Sequence, residues 1–434
     1  MHESFFPEAN DRPTLNRLKI TRLRELLQEI LPRNDFYSKK LAGVQRPKDI
    51  HSLEQIEDWP FTLKEELVAS VRDANEKSPC LPGNLTYPVE NYVRYHQTSG
   101  THGRPLPVFD TADDWQWWME CWQNVLIRGG VMEHDRVFVA SSFGPYIGFW
   151  SAFDAVIHFG ATAVPTGGLS SRARLELMRS VRATVLIATP SYALHLIEVA
   201  GEVGIDVNSL AIRLIIVAGE PGGSSPSVRT RLQQAWDAEV IDHAGATEVG
   251  PWGVGDQQGK GLNILEPWFH PEFLSLKTGA QATDGELSEL VITTLGRSGA
   301  PVIRYRTGDV VRPHWPTEDQ IDVCPWVQLV GGVLGRVDEM FIVRGVNIFP
   351  QSIDDIVRSF PEILEYRLSV LNQNSLDMMV LEIEDQLDDP DRVAIELHVR
   401  LGLKVTVTVV PRGSLPRFEG KGKRIIRKHS RPPE

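Results

Sequence analysis

The sequence predicts an α/β protein with a large N-terminal domain of helix-covered sheets and a small C-terminal α+β domain. Three observations support this prediction. Short β-rich runs alternate with helical runs through the middle of the chain, the pattern changes after about Gly335, and 434 residues suffice for two or three domains of about 150 residues each. Regular alternation of strands and helices is typical of a mostly parallel sheet covered by helices.

Two helices are predicted near the N-terminus. Apolar residues recur at close to helical spacing between Leu15 and Leu31, which indicates one amphipathic helix. A second helix is predicted to start at Thr62, because Thr62 and Glu65 match the S/T-x-x-E pattern that satisfies free amides at a helix start.

The middle of the chain supplies the predicted sheet. Strands are predicted at 136–140, 161–165, 184–188, 214–218 and 239–242, and helices at 147–158, 171–181, 191–203 and 225–236. Ligands bind beyond the carboxyl ends of the strands in such sheets, so the loops that follow these strands are the expected location of a site.

The end of the chain predicts a separate small domain, with residues 1–337 forming the large domain and 338–434 the small one. The Gly-rich segment 331–336 joins them. Strands are predicted at 341–344, 364–371, 378–383 and 404–410, and helices after Pro350 and at 391–401. The stretch from Arg412 onward is basic, and it is interpreted either as a solvated tail or as a source of cations for a phosphate.

Composition excludes several classes of protein. The formal net charge is −12, which disfavours binding along a nucleic-acid backbone. Three cysteines far apart in sequence, Cys80, Cys121 and Cys324, predict neither a disulfide framework nor a structural zinc. No run approaches the roughly 18 to 20 apolar residues of a membrane span, and the N-terminus lacks the pattern of a signal peptide. We therefore expect a cytoplasmic protein without a membrane partner.

Small hydroxyl residues and glycines are concentrated in the segment Thr98-Ser99-Gly100-Thr101-His102-Gly103-Arg104-Pro105. Backbone amides and hydroxyls of such a loop can close around a polyphosphate, and Arg104 can offset the charge of the phosphates. The segment matches neither the G-x-x-x-x-G-K-[ST] loop nor a G-x-G-x-x-G helix start. Taken alone, such a loop is more often a plain turn than a phosphate site.

Five further motifs follow in order: Ala244-Gly245-Ala246-Thr247-Glu248, Arg304-Tyr305-Arg306-Thr307-Gly308-Asp309, Gly335-Arg336-Val337-Asp338, Arg344-Gly345 and Gly420-Lys421. At these separations the six motifs resemble the adenylate-forming superfamily of acyl-CoA synthetases, peptide-synthetase adenylation domains and luciferases. Segments 35–37, 59–62, 301–309 and 344–350 resemble the phenylacetate-CoA ligases within it. The large domain is thus expected to be an adenylate-forming domain.

The resemblance implies that the protein is an AMP-forming ligase with ATP, Mg²⁺ and coenzyme A as its cofactors. It implies catalytic roles for Thr247 near the α-phosphate, Glu248 on Mg²⁺, Arg336 on phosphate or ribose, and Lys421 on the carboxylate and α-phosphate. Two anions must meet in this reaction, so the site has to supply positive charge and positioning. The implied ATP- and AMP-binding residues are Thr98, Ser99, Gly100, Thr101, Gly103, Arg104, Gly219, Glu220, Ala244, Gly245, Thr247, Asp309 (on the ribose hydroxyls) and Arg336.

The resemblance also implies where the acid binds and how the domains move. The implied acyl pocket consists of Phe143, Tyr146, Ile147, Ala218, Ala244, Gly245 and Ala246. Aromatic and small residues together suit a planar ring, so the expected substrate is an aryl or arylacetic acid. Asp338 is the implied hinge about which the small domain rotates between acyl-AMP formation and thioester formation.

Three departures from the family pattern affect these expectations. His102 and Arg104 replace the usual Thr and Lys of the phosphate loop, and Ala244 replaces a tyrosine that commonly stacks on adenine. The Cys-rich segment of phenylacetate-type ligases is reduced to Cys324-Pro325-Trp326.

The sequence leaves several alternatives open. The acyl group could go to the phosphopantetheine of a carrier protein or to an amine instead of coenzyme A. A degenerate, non-catalytic binding protein is an alternative of another class, although Glu248, Asp309, Arg336 and Lys421 together argue against it. A homodimer is also left open.

Overall fold

The structure is a computed structural model, and it describes residues 11–44, 46–73, 80–98, 105–220, 222–317, 324–343, 346–373, 376–417 and 424–428. Its α-helices are α1 Arg12–Ile30, α2 Asp35–Lys40, α3 Lys64–Ala69, α4 Ala112–Arg128, α5 Ile147–Phe159, α6 Ser171–Val181, α7 Pro190–Val203, α8 Pro226–Trp236, α9 Pro350–Arg358 and α10 Pro390–Leu401. No described helix is long and apolar enough to cross a membrane.

Strands form the interior of both domains. In chain order they are β1 Tyr92–Gln97, β2 Pro107–Thr111, β3 Arg136–Val139, β4 Thr162–Pro165, β5 Val185–Ala188, β6 Leu214–Ala218, β7 Glu239–Ala246, β8 Gly250–Gly255, β9 Gly261–Ile264, β10 Phe269–Ser275, β11 Ser288–Thr294, β12 Tyr305–Val311, β13 Pro313–His314, β14 Gln328–Val330, β15 Gly335–Arg336, β16 Phe341–Val343, β17 Val346–Ile348, β18 Ile363–Gln373, β19 Leu376–Asp385, β20 Thr406–Val409 and β21 Ile425–Lys428.

The largest sheet has nine strands in the order β13-β14-β9-β8-β7-β6-β5-β3-β4. Its predicted strands, β3 to β7, are parallel to one another. Alternate residues of each strand face opposite cores, so Phe138 packs with the residues of α6, α7 and α8, whereas Val137 and Val139 pack with those of α4 and α5. The parallel half therefore has helices on both faces, as predicted.

The other half of this sheet is antiparallel, which corrects the expectation of a mostly parallel sheet. Its strands β8 and β9 are rich in glycine, a residue that weakens a strand signal. Gly261 shows why glycine is needed, because its φ is +154° and an added Cβ would lie 1.9 Å from the carbonyl oxygen of Leu329.

A second, four-stranded sheet in the order β10-β11-β12-β15 completes the large domain. The predicted N-terminal helix is present as α1. The predicted cap of the next helix is wrong by one residue, because α3 starts at Lys64 and Glu66 accepts the amide proton of Leu63 at 2.8 Å. Thr62 instead joins β12, where its amide donates to Arg304 and its carbonyl accepts from Arg306.

The small domain has a sheet in the order β20-β19-β18-β21, covered by α9 and α10. Its separate apolar core runs from Phe341 to Val405. The predicted elements of this domain are present, and β21 is an addition from the basic stretch, where it pairs in parallel with β18. That stretch is thus only partly a tail. The boundary between residues 337 and 338 stays a prediction.

Candidate active site

The motif that ends β7 places Glu248 in a buried position beside two other elements. Its carboxylate is 7% exposed, and Oε1 lies 2.8 Å from the Lys64 ammonium and 3.4 Å from the Tyr305 hydroxyl, which donates to it. Lys64 is 40% exposed and therefore also faces solvent. Sequence reasoning gave neither partner a role, although Lys64 lies two residues after the segment 59–62 and Tyr305 lies within the segment 301–309, both of which carried part of the resemblance.

A buried arginine fixes the backbone of the same motif. The Arg297 guanidinium donates to the carbonyl oxygens of Glu248 at 2.9 Å and Thr247 at 3.3 Å. It also donates to Asp110 in β2 at 2.8 Å, and both charged side chains are fully buried. Because a buried ion pair with further hydrogen bonds has little freedom, Arg297 holds the Thr247–Glu248 turn in one place. Nothing in the sequence pattern pointed to this residue.

Asp309 and Arg336 are neighbours across the β12–β15 pair. Arg336 Nη1 lies 3.2 Å from Asp309 Oδ1, and Arg336 Nε donates to Asp338 at 2.9 Å. Burial alone would lower the pKa of Arg336, but the carboxylates of Asp309 and Asp338 raise it above its usual value. Arg336 thus contacts both Asp309, the other predicted nucleotide residue, and Asp338, the predicted hinge residue.

Tyr305 lies between these charged side chains and Glu248. Burial raises the pKa of the Tyr305 hydroxyl well above its usual value, and the negative charge of Glu248 adds to this shift. Arg336 and Asp309 are also close enough to act on the same hydroxyl, in opposite directions. Glu248 thus lies beside the Tyr305 hydroxyl, and Asp309 and Arg336 lie near the same group.

Gly219 and Glu220 follow β6, next to the end of β7, since Ala218 pairs with His243. Gly219 adopts a left-handed conformation with φ +91°. Glu220 Oε1 accepts a hydrogen bond from the Ser191 amide at 2.7 Å. Ala244, Gly245 and Ala246 complete this edge of the sheet as the last residues of β7.

The predicted acyl loop follows β3 and leads into α5. Phe143 has a left-handed φ of +52°, and its ring packs against Trp150 at 5.0 Å and Phe153 at 5.5 Å. Trp150 Nε1 donates to the Gly144 carbonyl at 2.9 Å. Tyr146 is 51% exposed, whereas Ile147 is buried in the core. A strained aromatic residue held by its neighbours is a feature that often occurs at functional sites.

Several predicted residues lie outside the described part of the chain: Ser99, Gly100, Thr101, His102, Gly103, Arg104 and Lys421. Thr98 is described, and it closes the base of the predicted phosphate loop. Its amide donates to the Leu106 carbonyl at 3.0 Å, and its hydroxyl accepts from the Leu106 amide at 3.0 Å.

A cavity of about 370 Å³ is lined by residues of both domains. Asp242 and Leu334 line it from the large domain, and Phe349 and Asp355 from the small domain. Asp242 accepts from the Ser224 hydroxyl at 2.5 Å. Burial raises the pKa of Asp242 to about 6.

Within the described ranges, no group of three or more His, Cys, Asp or Glu side chains could hold a metal ion. Magnesium in phosphate-transfer sites is often held by one or two carboxylates, substrate phosphates and water. The single buried carboxylate of Glu248 fits that pattern, because the remaining ligands would come from the substrate.

The chain belongs to the AMP-binding enzyme family, whose family model matches residues 37–268. Residues 345–429 match the model of the AMP-binding enzyme C-terminal domain. The predicted adenylate-forming superfamily and the two-part α/β fold are confirmed.

Curated relatives agree with this assignment. The chain is 29% identical to phenylacetate-coenzyme A ligase of Escherichia coli (strain K12), over 95% of this chain and 94% of that protein. It is 28% identical to the phenylacetate-coenzyme A ligase of Pseudomonas putida, over 94% of this chain and 92% of that one. The resemblance to this ligase is also confirmed.

Among solved structures, 2-hydroxyisobutyryl-CoA ligase is similar at 24% identity, covering 99% of this chain and 95% of that one. The TM-score is 0.87 with that ligase in its postadenylation state and 0.70 with it in its thioesterification state.

Proposed function

We propose that this AMP-forming ligase joins an aryl or arylacetic acid to coenzyme A through an acyl-AMP intermediate. The observation that carries the proposal is the proximity of Glu248, Asp309 and Arg336 to the Tyr305 hydroxyl. The named function of the relatives supports the reaction class, and the aromatic residues after β3 support the kind of acid.

In the first half-reaction, a carboxylate oxygen of the acid attacks the α-phosphorus of ATP and pyrophosphate leaves. Asp309 is suited to accept hydrogen bonds from both ribose hydroxyls, and Arg336 to offset the charge of the phosphates. Thr247 is oriented by Arg297 and faces the α-phosphate in this proposal. Preorganised charge of this kind is the main means by which an enzyme lowers the barrier between two anions.

Mg²⁺ would bind to Glu248 and to the phosphates, where it would neutralise charge on the leaving pyrophosphate. Lys64 already contacts Glu248 and is partly open to solvent. We infer that Lys64 contributes a further positive charge on the pyrophosphate side of the site.

In the second half-reaction, the coenzyme A thiol attacks the acyl carbon and AMP leaves. We propose that the small domain carries Lys421 into the site for the first half-reaction and that Asp338 is the hinge between 1–337 and 338–434. The contact between Arg424 and Ser191, at 3.3 Å, supports the first part, because Ser191 also binds Glu220 beside the nucleotide residues.

Product analysis tests the whole proposal. The protein is incubated with ATP, Mg²⁺ and a panel of aromatic and aliphatic acids, with coenzyme A, a phosphopantetheinylated carrier protein and amines offered in parallel. Mass spectrometry should find an aryl-CoA thioester and AMP. A carrier-bound thioester or an amide as the main product would identify another acceptor, and a preference for long-chain fatty acids would exclude the proposed class of acid.

A further inference from the structure

Helix α7 of the large domain is the surface on which the end of the small domain rests. Arg424 Nη1 donates to the Ser191 hydroxyl at 3.3 Å, and Arg417 Nε lies 3.5 Å from Glu198 Oε2. Farther along the helix, Arg412 lies 3.7 Å from Glu202. Three arginines of one terminal segment thus approach one helix.

Arg424 and Arg417 are each also held by a carboxylate of the small domain itself. Arg424 forms a two-point contact with Glu365, at 2.6 and 3.0 Å. Arg417 forms a similar contact with Glu384, at 3.1 and 2.8 Å. The side chains of Glu365 and Glu384 are at most 5% exposed. Because two-point arginine–carboxylate pairs fix the guanidinium plane, each arginine presents its remaining donor in a set direction.

Ser191 and Glu198, the two residues contacted, lie on one face of α7. Ser191 and Glu198 are seven residues apart, which is about two helical turns or 10 Å along one face of α7. Arg417 and Arg424 are also seven residues apart, and the sequence between them contains Lys421. Burial alone would raise the pKa of Glu198, but His195 and Arg417 lower it, so the carboxylate is charged at neutral pH.

We propose that Ser191 and Glu198 are positioning residues that hold the small domain in the orientation required for acyl-AMP formation. They act as a two-point latch, since Arg424 contacts Ser191 near the start of α7 and Arg417 contacts Glu198 two turns farther along the helix. Both contacts are long, at 3.3 and 3.5 Å, so they bias the orientation without locking it. The effect on catalysis rests on the proposed function, whereas the latch itself does not.

The test removes the latch from the large-domain side only, which leaves the Arg417–Glu384 and Arg424–Glu365 pairs intact. In the double variant Ser191→Ala/Glu198→Gln, kcat for acid-dependent pyrophosphate release should fall about tenfold, with KM for ATP little changed. Thioester formation from supplied acyl-AMP and coenzyme A should be unchanged or faster. The conservative variant Ser191→Thr/Glu198→Asp should restore much of the first half-reaction. Glu176→Gln is the matched control, because Glu176 pairs with Arg172 on its own helix, α6, and both side chains are at least half exposed.

Equal losses in both half-reactions, or no loss in either, would overturn the proposal. Hydrogen exchange distinguishes failure of the latch proposal from failure of the proposed function. In the double variant, peptides from α7 and from residues 411–417 should exchange faster than in the wild type and in Glu176→Gln. If the wild type releases no pyrophosphate with any acid, the proposed function fails while faster exchange still supports the latch. Unchanged exchange contradicts the latch whatever the activity.

Discussion

At the scale of single residues, motif spacing and side-chain contacts gave different information. The order of the motifs predicted Glu248, Asp309 and Arg336 as members of one site, and the structure places Asp309 and Arg336 in contact. Lys64 and Arg297 contact the same site from other parts of the chain and carry no local signal, and Tyr305 lies within a motif that gave it no role. Contacts between distant segments depend on the packing of the fold, which periodicity and spacing do not encode.

Lys64 tests whether a residue outside the predicted site takes part in it. Lys64→Ala should lower kcat/KM for ATP about tenfold, since a hydrogen bond to a charged group contributes about 1.5 to 3 kcal/mol. Steady-state kinetics with varied ATP at saturating acid measures this effect.

The matched control is Lys40→Ala, which removes an ammonium from the pair with Glu66 on the same short helix. This variant should keep the wild-type kcat/KM for ATP. Equal losses in Lys64→Ala and Lys40→Ala would mean that Lys64 only stabilises α3.

Asp242 predicts a pH dependence of stability. Burial raises the pKa of Asp242 from 3.8 to about 6, so the folded state binds this proton more tightly than the unfolded chain. The stability of the wild type therefore decreases on this account as the pH rises from about 4 to 6, by about 3 kcal/mol at most. In Asp242→Asn, which has no such proton, the free energy of unfolding relative to wild type should increase over this range. Urea unfolding followed by tryptophan fluorescence measures it.

An exposed aspartate provides the opposite sign as a control. The backbone amide of Trp315 lowers the pKa of Asp284, whose charged form therefore stabilises the fold above about pH 4. Asp284→Asn should lose stability relative to wild type as the pH rises.

A constant difference between wild type and Asp242→Asn at all pH values would show that Asp242 does not titrate as described.

At the scale of elements, the sequence predicted the parallel strands and their helices well, because most of the strands are short apolar runs and the segments between them have helical patterns. It did not predict β8 and β9, whose glycines leave little pattern, or β21, whose charges resemble those of a tail. It also placed the cap of α3 at Thr62, where pairing with β12 is stronger than the local capping preference.

The shape of the predicted acyl loop depends on a hydrogen bond donated by the Trp150 side chain. Trp150→Phe keeps a ring beside Phe143 but removes the hydrogen bond to the Gly144 carbonyl. We expect KM for the aromatic acid to rise about fivefold, because a neutral hydrogen bond contributes about 1 kcal/mol, while KM for ATP stays constant. Trp315→Phe, at a ring that packs on Phe273 away from this loop, is the control. A parallel rise in both KM values would mean that the loop does not contact the acid.

At the scale of the whole molecule, the sequence predicted two domains joined near residue 338, and the structure contains a separate apolar core that begins at Phe341. The seam between the domains was beyond prediction. The contacts of Arg417 and Arg424 with α7 each depend on a buried carboxylate, Glu384 or Glu365, which positions the guanidinium first. Such three-residue arrangements are products of the assembled fold.

Isotope exchange between pyrophosphate and ATP, in the absence of coenzyme A, tests the central claim most directly. The account predicts exchange that requires Mg²⁺ and an aromatic carboxylic acid, and that falls at least a hundredfold in Glu248→Gln, since one preorganised charge in an active site is worth about 3 kcal/mol or more. Exchange that is independent of any acid, or equally fast in Glu248→Gln, would contradict it.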